Sequence, residues 1–289
     1  MSGRRGAGER PWFVDAFDRH YPLLYRHRDA AEARRAVAIL PRLAPLGSGP
    51  VLDLGCGGGR HLVELSRQGV PVVGLDLSPA LLGEAARLRE AAGARYALVR
   101  ADMRRLPLRP RAVTAVLSLF TAFGYFGGLA AHAPVLAEVA RVLAPGGHWF
   151  LDYLDADRVR DELVAGPVRP HERCVGPLLV REQRRLEADP PVVAKDVLLM
   201  PREGNAEEAA ALGVPREGRR YTERVALFSL AEIDAAAAAA GLARVAAAGN
   251  YDGGPLGARE ADRWILVFRR ANEPGASPSR TGRSGLAGE

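Results

Sequence analysis

Three aspartates and a cluster of glycines stand at spacings that could hold one polar ligand. The stretch VLDLGCGGGRHLVEL, Val51 to Leu65, sets Asp53, Gly55, Gly57, Gly58 and Gly59 between two apolar runs. Val51, Leu52 and Leu54 read as a short buried strand, the glycines as a turn, and Leu62, Val63 and Leu65 as the apolar face of a helix that begins by His61. Glycines there let a ligand lie against bare amides at a helix N-terminus. Asp76 follows in VVGLDLS, about 20 residues on, the spacing at which an acid meets a ribose in nucleotide-binding α/β folds. Asp102 follows a third strand in RADMRRLPL, where its side chain and the amide of Met103 could read an adenine edge. Three successive strand tips on one sheet edge would face one elongated ligand. Each feature also has a plain structural reading: a strand ending in glycines makes a tight turn, and an aspartate after a strand caps a helix. Ser78 fills that capping role after Asp76. Cys56 reads as a small side chain packed in the loop and counted among its ligand-lining residues, not as a nucleophile.

Spacing separates two ligand classes. The dinucleotide fingerprint G-x-G-x-x-G, counted from Gly55, needs a third glycine where Arg60 stands. What is present is D-x-G-x-G-x-G. Asp53 would repel a pyrophosphate, but an acid at that strand end suits S-adenosylmethionine (SAM), which brings an ammonium and a sulfonium together with a carboxylate for the loop amides.

The elements that must position these residues follow an alternating pattern. Strands read at Val51–Leu54, Val70–Leu75, Tyr96–Arg100, Ala112–Leu119 and His148–Tyr153, with helices between them, one capped by Ser78 and Pro79 and another ending at APGG, Ala144 to Gly147. This predicts a doubly wound α/β sheet. From residue 165 to 227 the chain turns to charged, β-tending runs without helical periodicity, which predicts a small antiparallel insertion. Ser229 to Glu232 then forms a capping box, and strands around Ala243–Ala248 and Arg263–Phe268 close the sheet. The expected organisation is a tail at 1–9, a ligand-binding core at 10–164, the insertion at 165–227, the rest of the core at 228–270, and a second tail at 271–289. Both tails are polar, glycine-rich and expected to be disordered.

The 289 residues, 48% hydrophobic, can bury one large core. The net charge of +6 is carried almost wholly by arginine, with Lys195 the sole lysine, and reads as compositional bias more than as a nucleic-acid footprint. Cys56 and Cys174 lack metal or redox spacing, so reduced thiols in a cytoplasmic protein are expected. No apolar stretch approaches the roughly 20 residues of a membrane span. Residues near the mouth that could serve as bases are His20, Asp152, His171 and Glu223.

The motifs VLDLGCGGGRH, VVGLDLSPALL, ADMRRLPL and EVARVLAPGGHWFLDYLD, in this order and spacing, resemble the class I SAM-dependent methyltransferases from about Phe13 to Phe268. The resemblance implies a seven-stranded, mostly parallel sheet with its last strand antiparallel. It implies Asp53, Gly55 and Gly57 at the methionine end of SAM, Asp76 and Leu77 at the ribose, Asp102 and Met103 at the adenine, and Leu119 at the wall beyond the fourth strand. A nearer resemblance is to a bacterial subgroup that includes sugar-nucleotide N-methyltransferases, carried by Tyr21-Pro-Leu-Leu-Tyr25, by Phe120-Thr-Ala-Phe-Gly124-Tyr125 and by the insertion. It implies that Tyr21, Tyr25 and Arg28 close over SAM, that position 125 faces the methyl acceptor, and that Arg224 lies near the substrate. Position 125 is histidine in the aminosugar enzymes and tyrosine here.

Signatures of other chemistries do not occur: an acidic cluster after the fourth strand, an N/D-P-P-aromatic motif, a Pro-Cys nucleophile, HExxH and a radical-SAM cysteine set. The expectation is a metal-independent enzyme that transfers a methyl group from SAM, leaving S-adenosylhomocysteine, to nitrogen or oxygen of a small molecule. Two alternatives remain: methylation of a protein or RNA, and a protein of this fold that binds SAM without methyl transfer.

Overall fold

A computed structural model describes residues 11–26, 29–165 and 168–272. Arg28, the tail at 1–9 and residues 273–289 of the second tail lie outside them. The chain opens with two short helices, α1 (Trp12–Ala16) and α2 (Tyr21–Leu24), and a longer one, α3 (Ala30–Leu43). The alternating region follows as β1 (Val51–Leu54), α4 (Arg60–Arg67), β2 (Val72–Asp76), α5 (Pro79–Ala92), β3 (Ala97–Arg100), β4 (Val113–Ser118), α6 (Ala133–Val142), β5 (Leu143–Leu154) and α7 (Ala156–Val164). Four strands then form the insertion: β6 (His171–Val175), β7 (Leu178–Ala188), β8 (Pro191–Pro201) and β9 (Arg219–Ala226), with helix α8 (Ala206–Ala211) between the last two. Helix α9 (Leu230–Ala239) and strands β10 (Leu242–Ala248) and β11 (Arg263–Arg270) complete the chain.

The main sheet runs β10-β11-β5-β4-β1-β2-β3, with β11 antiparallel to both of its neighbours and the remaining pairs parallel. This is the seven-stranded, doubly wound sheet that the motifs imply. Strand order reverses between β1 and β4, and a crevice opens there at the carboxyl ends of the strands. Both faces are covered, so β1 is buried on both: Val51 packs with Val37 and Leu40 of α3, while Leu52 and Leu54 pack toward α6 and α9 with Leu136, Val139 and Ile233.

Local signals operate where the sequence places them. The Ser78 hydroxyl accepts from the Leu81 amide with Pro79 beside it, and Ser229 with Glu232 makes the full capping box. Strand β2 starts two residues later than the apolar run suggests, and β5 starts at Leu143, five residues before His148. The Ala144 to Gly147 segment is a bulge in β5, since pairing with β4 jumps from Val113↔Leu143 to Ala115↔His148. Helix α8 was not anticipated, because six residues are too few to display a helical period.

The insertion forms a separate antiparallel sheet, β6-β7-β8-β9. Helices α1 and α2 pack on this sheet: Ala16 and Leu24 are buried with Val180, Val197, Leu199 and Tyr221. Arg219 of β9 fixes them further, reaching Asp18 at 3.0 Å and Asp15 at 3.3 Å. Among the described residues no helix is long and apolar enough to cross a membrane.

Candidate active site

The loop after β1 is held open from both sides. Gly55 has φ +82°, and a Cβ there would lie 2.9 Å from the Ala122 Cβ. The Gly57 amide donates to Asp76 Oδ2 at 2.9 Å and the Ser78 amide to Asp76 Oδ1 at 2.8 Å, so one carboxylate ties the tip of β2 to the loop of β1. Burial raises the Asp76 pKa, and amides of Ser78, Gly57 and Leu77 oppose that rise. Each carboxylate oxygen keeps acceptor capacity beyond these bonds. Asp53 is 1% exposed and its Oδ2 has no hydrogen-bond partner. Burial and then the neighbouring Asp76 push its carboxyl up to about 7, with Arg60 opposing. Asp53 sits behind the loop and does not line the cavity in front of it.

That cavity is about 310 Å³ and is lined by Gly55, Cys56, Gly57, Asp76, Leu77, Asp102, Met103 and Leu119, together with Tyr21, Tyr25 and Tyr125. Nearly every residue singled out at the strand tips thus meets in one place. Asp102 is committed in part: Arg104 grips it through Nε at 3.0 Å and Nη2 at 2.6 Å, which holds its pKa down. Arg26, two residues before Arg28, also lines the cavity. The Cys56 thiol is buried, and burial raises its pKa far out of the nucleophilic range, as its packing role requires. The buried His61 Nε2 lacks a partner at this cavity's wall.

A second cavity, about 720 Å³, lies between the main sheet and the insertion. The two share a wall of Phe17, Tyr21, Tyr25, Phe120 and Tyr125. Tyr21 and Tyr25 rings meet at 4.5 Å, and the Tyr125 ring lies 5.3 Å from Trp12 and 5.4 Å from Phe17. Phe120 has φ +60° and Thr121 +58°, unusual for bulky residues. Asp152, buried at the end of β5, imposes that turn: its Oδ2 accepts from the Phe120 amide at 2.8 Å and its backbone oxygen from the Thr121 amide at 2.8 Å. Tyr251 donates to the same carboxylate at 2.5 Å and Arg263 at 3.1 Å. The lining of the second cavity is charged, with Arg169, His171, Arg173, Glu182, Arg184, Lys195 and Glu223, and Lys195 and Glu223 reach the shared wall at Tyr25.

The methyltransferase-domain family matches residues 51–147. A dTDP-3-amino-3,4,6-trideoxy-alpha-D-glucopyranose N,N-dimethyltransferase of Streptomyces venezuelae is 31% identical over 257 residues, covering 84% of this chain and 94% of that protein. The chain is a class I SAM-dependent methyltransferase. This methyltransferase also resembles a SAM-bound amino pentose methyltransferase of Micromonospora echinaspora, with TM-score 0.55 and 25% identity over 87% of this chain and 96% of that one. A demethylmenaquinone methyltransferase of Thermus thermophilus is 39% identical over 116 residues, 39% of this chain and 50% of that protein. SAM is the cofactor.

The methyltransferase departs from several sequence expectations. Arg224 lines neither cavity: β9 alternates, Glu223 and Val225 face the second cavity, and Arg224 turns to the other side, 3.4 Å from Glu187. His20 is buried under Tyr221 and lines neither cavity, and its imidazole is pushed down to about 4 by burial and then by Arg219. Asp152 is engaged by two side chains and two amides, so it braces the turn and is not placed as a base. Sequence reading overlooked Lys195, Glu182, Tyr251 and Arg263 as site residues. Only Lys195 carried a signal, as the single lysine of an arginine-rich chain. Among the described residues no group of three or more His, Cys, Asp or Glu side chains could hold a metal ion.

Proposed function

We propose that this methyltransferase transfers a methyl group to the amine nitrogen of a small polar acceptor, the amino group of an activated sugar being the leading case. The observation that carries this is the pair of cavities: one framed by the strand-tip acids and glycine loop, the other large and charged, meeting at one aromatic wall. The Streptomyces venezuelae relative acts on a dTDP-linked amino sugar and aligns along nearly its whole length, whereas the quinone enzyme aligns over half. A cavity lined by seven arginine, lysine, histidine and glutamate side chains suits a hydrophilic acceptor better than an apolar quinone.

The residues of the first cavity fit the cofactor. Gly55 lets the loop pack directly on Ala122, Asp76 retains acceptor capacity for ribose hydroxyls, and Leu77 and Met103 offer apolar surface to the adenine. The loop amides suit the carboxylate, and Asp53, once ionised, favours a cationic group in front of the loop. When bound, SAM supplies a methyl group already activated on a sulfonium. The protein's share is then orientation and dryness: Tyr21, Tyr25, Phe120 and Tyr125 wall the junction of the two cavities and exclude water from it. An acceptor amine that arrives neutral needs no strong base, consistent with tyrosine at position 125. Tyr125 orients the acceptor from that wall.

The test is calorimetric titration with SAM and S-adenosylhomocysteine, followed by a screen of dTDP-amino sugars read by homocysteine release. We expect Asp76→Ala to weaken binding at least about tenfold, the scale of losing a hydrogen bond to a charged group. Binding retained in Asp76→Ala, or turnover of hydroxyl acceptors alone, would count against the proposal.

A further inference from the structure

Among the 40 lysine and arginine residues of this chain, one is a lysine, Lys195. A composition that puts arginine at every other basic position makes that one place informative, and the place is the charged lining of the second cavity, against Tyr25. Lys195 lies on β8, opposite Glu223 on β9 and diagonal to Glu182 on β7. Its Nζ is 2.7 Å from Glu223 Oε2 and 3.4 Å from Glu182 Oε1, and it donates to the Tyr25 hydroxyl. The same nitrogen lies 4.8 Å from the Tyr25 ring centroid. Tyr25 completes the circuit by donating to Glu223, 3.1 Å from Oε1.

Three acceptors approach this nitrogen from three elements: β7, β9 and the residue that ends α2. An ammonium has three rotatable donors around one compact charge and can serve all three. A guanidinium is longer and spreads its donors over a rigid plane, so it cannot put them around the one compact point that these three acceptors share. The cluster is also charge-balanced. Arg173 pairs with Glu182 at 3.3 Å and donates to the Leu24 carbonyl at 3.2 Å, so a second cation from the insertion reaches α2 beside Tyr25. Burial alone would raise the Glu182 pKa, but Lys195 and Arg173 outweigh it and keep the carboxyl below its usual range. The side chains of Lys195, Glu182 and Glu223 are 15–18% exposed, so the contacts are shielded more than a surface pair would be.

We propose that Lys195 is a positioning residue for methyl transfer: it fixes the Tyr25 side chain in the wall between the two cavities, so the insertion sets the affinity of the cofactor site. Tyr25 lines both cavities, and what holds it on the acceptor side is therefore felt on the cofactor side. The proposal rests on the assignment of the first cavity to the cofactor.

The experiment is a double-substitution cycle read by calorimetric binding of S-adenosylhomocysteine, with melting temperatures measured alongside. We expect Lys195→Met to fold with a lowered melting temperature, because Glu182 and Glu223 lose their shared cation, and to bind about tenfold more weakly, the scale of one lost charge-assisted hydrogen bond. Lys195→Met combined with Tyr25→Phe should bind no more weakly than Tyr25→Phe alone, a coupling that general loosening of the fold would not give. Lys195→Arg should weaken binding as Lys195→Met does. Wild-type affinity in Lys195→Met, or losses that add in full with Tyr25→Phe, would overturn the proposal, and wild-type affinity in Lys195→Arg would overturn the need for an ammonium. Should Lys195→Met fail to fold, Glu223→Gln gives the same cycle, and full additivity there overturns the proposal equally. A wild-type protein that binds no S-adenosylhomocysteine would overturn the cofactor assignment itself, a result seen before any substitution is made.

Discussion

Asp53 shows how one buried group can link cofactor binding to pH. Its folded carboxyl is raised to about 7 by burial and by Asp76, whereas an unfolded aspartate titrates near 3.9. The sign follows from proton counting. Between roughly pH 4 and 7 the folded protein holds more protons than the unfolded chain, so Asp53 costs stability as pH rises through that window. A cation in front of the loop favours the ionised form. Affinity for S-adenosylhomocysteine, whose ammonium is charged throughout, should therefore rise between pH 6 and 8 over about one order of magnitude or less. Calorimetry at several pH values on the wild type and Asp53→Asn checks this. A wild-type rise that survives unchanged in Asp53→Asn would assign the effect to another group. His20, held down to about 4 chiefly by burial, works in the opposite sense: its neutral form stabilises the fold near neutrality, and that contribution is lost as pH falls from about 6.5 toward 4.

At the level of elements, the turn after β4 is set by its neighbours more than by its own residues. Phe120 and Thr121 hold left-handed torsions because Asp152 of β5 takes both of their amides, while Tyr251 and Arg263 hold Asp152. Tyr251→Phe removes a hydrogen bond to a buried carboxylate and should destabilise the fold by about 2 kcal/mol in denaturant unfolding. The same substitution should weaken S-adenosylhomocysteine binding, because Phe120 stands in the wall of the first cavity, the proposed cofactor site. Stability loss with untouched cofactor affinity would mean that the turn survives without its brace.

Across the whole molecule, the N-terminal helices belong mechanically to the insertion. Leu24 is buried against sheet β6-β7-β8-β9, and Arg219 and Arg173 bind α1 and α2 to the same sheet. The first cavity is thus bounded by the main sheet on one side and by helices anchored to the insertion on the other. The net charge of +6 is spread rather than massed, since many exposed arginines face acids: Arg35 with Asp252, Arg158 with Glu162, Arg181 with Glu172 and Arg244 with Asp234. We expect no salt-sensitive retardation of RNA in an electrophoretic assay. A steep loss of RNA binding between low and physiological salt would revive a macromolecular acceptor.

The sequence by itself determined the sheet and the strand tips that meet at the first cavity. Strand residues such as Val51 to Leu54, the glycines after them, and Asp76 and Asp102 act through local backbone geometry, which neighbours in the chain dictate. The order of those segments then leaves few topologies open. The insertion's β character was readable in the same way, while the six-residue α8 was too short to declare itself. Tertiary structure alone decided the lining of the second cavity. Whether Arg224 or Glu223 faces the cavity depends on strand register, where one residue reverses the face. The partners of Lys195, Tyr25 and Glu223, lie 170 and 28 positions away, and those of Asp152, Phe120 and Tyr251, lie 32 and 99 away. Such contacts arise only when separate elements pack together, because a side chain's spacing along the chain says nothing about which distant surface it will meet.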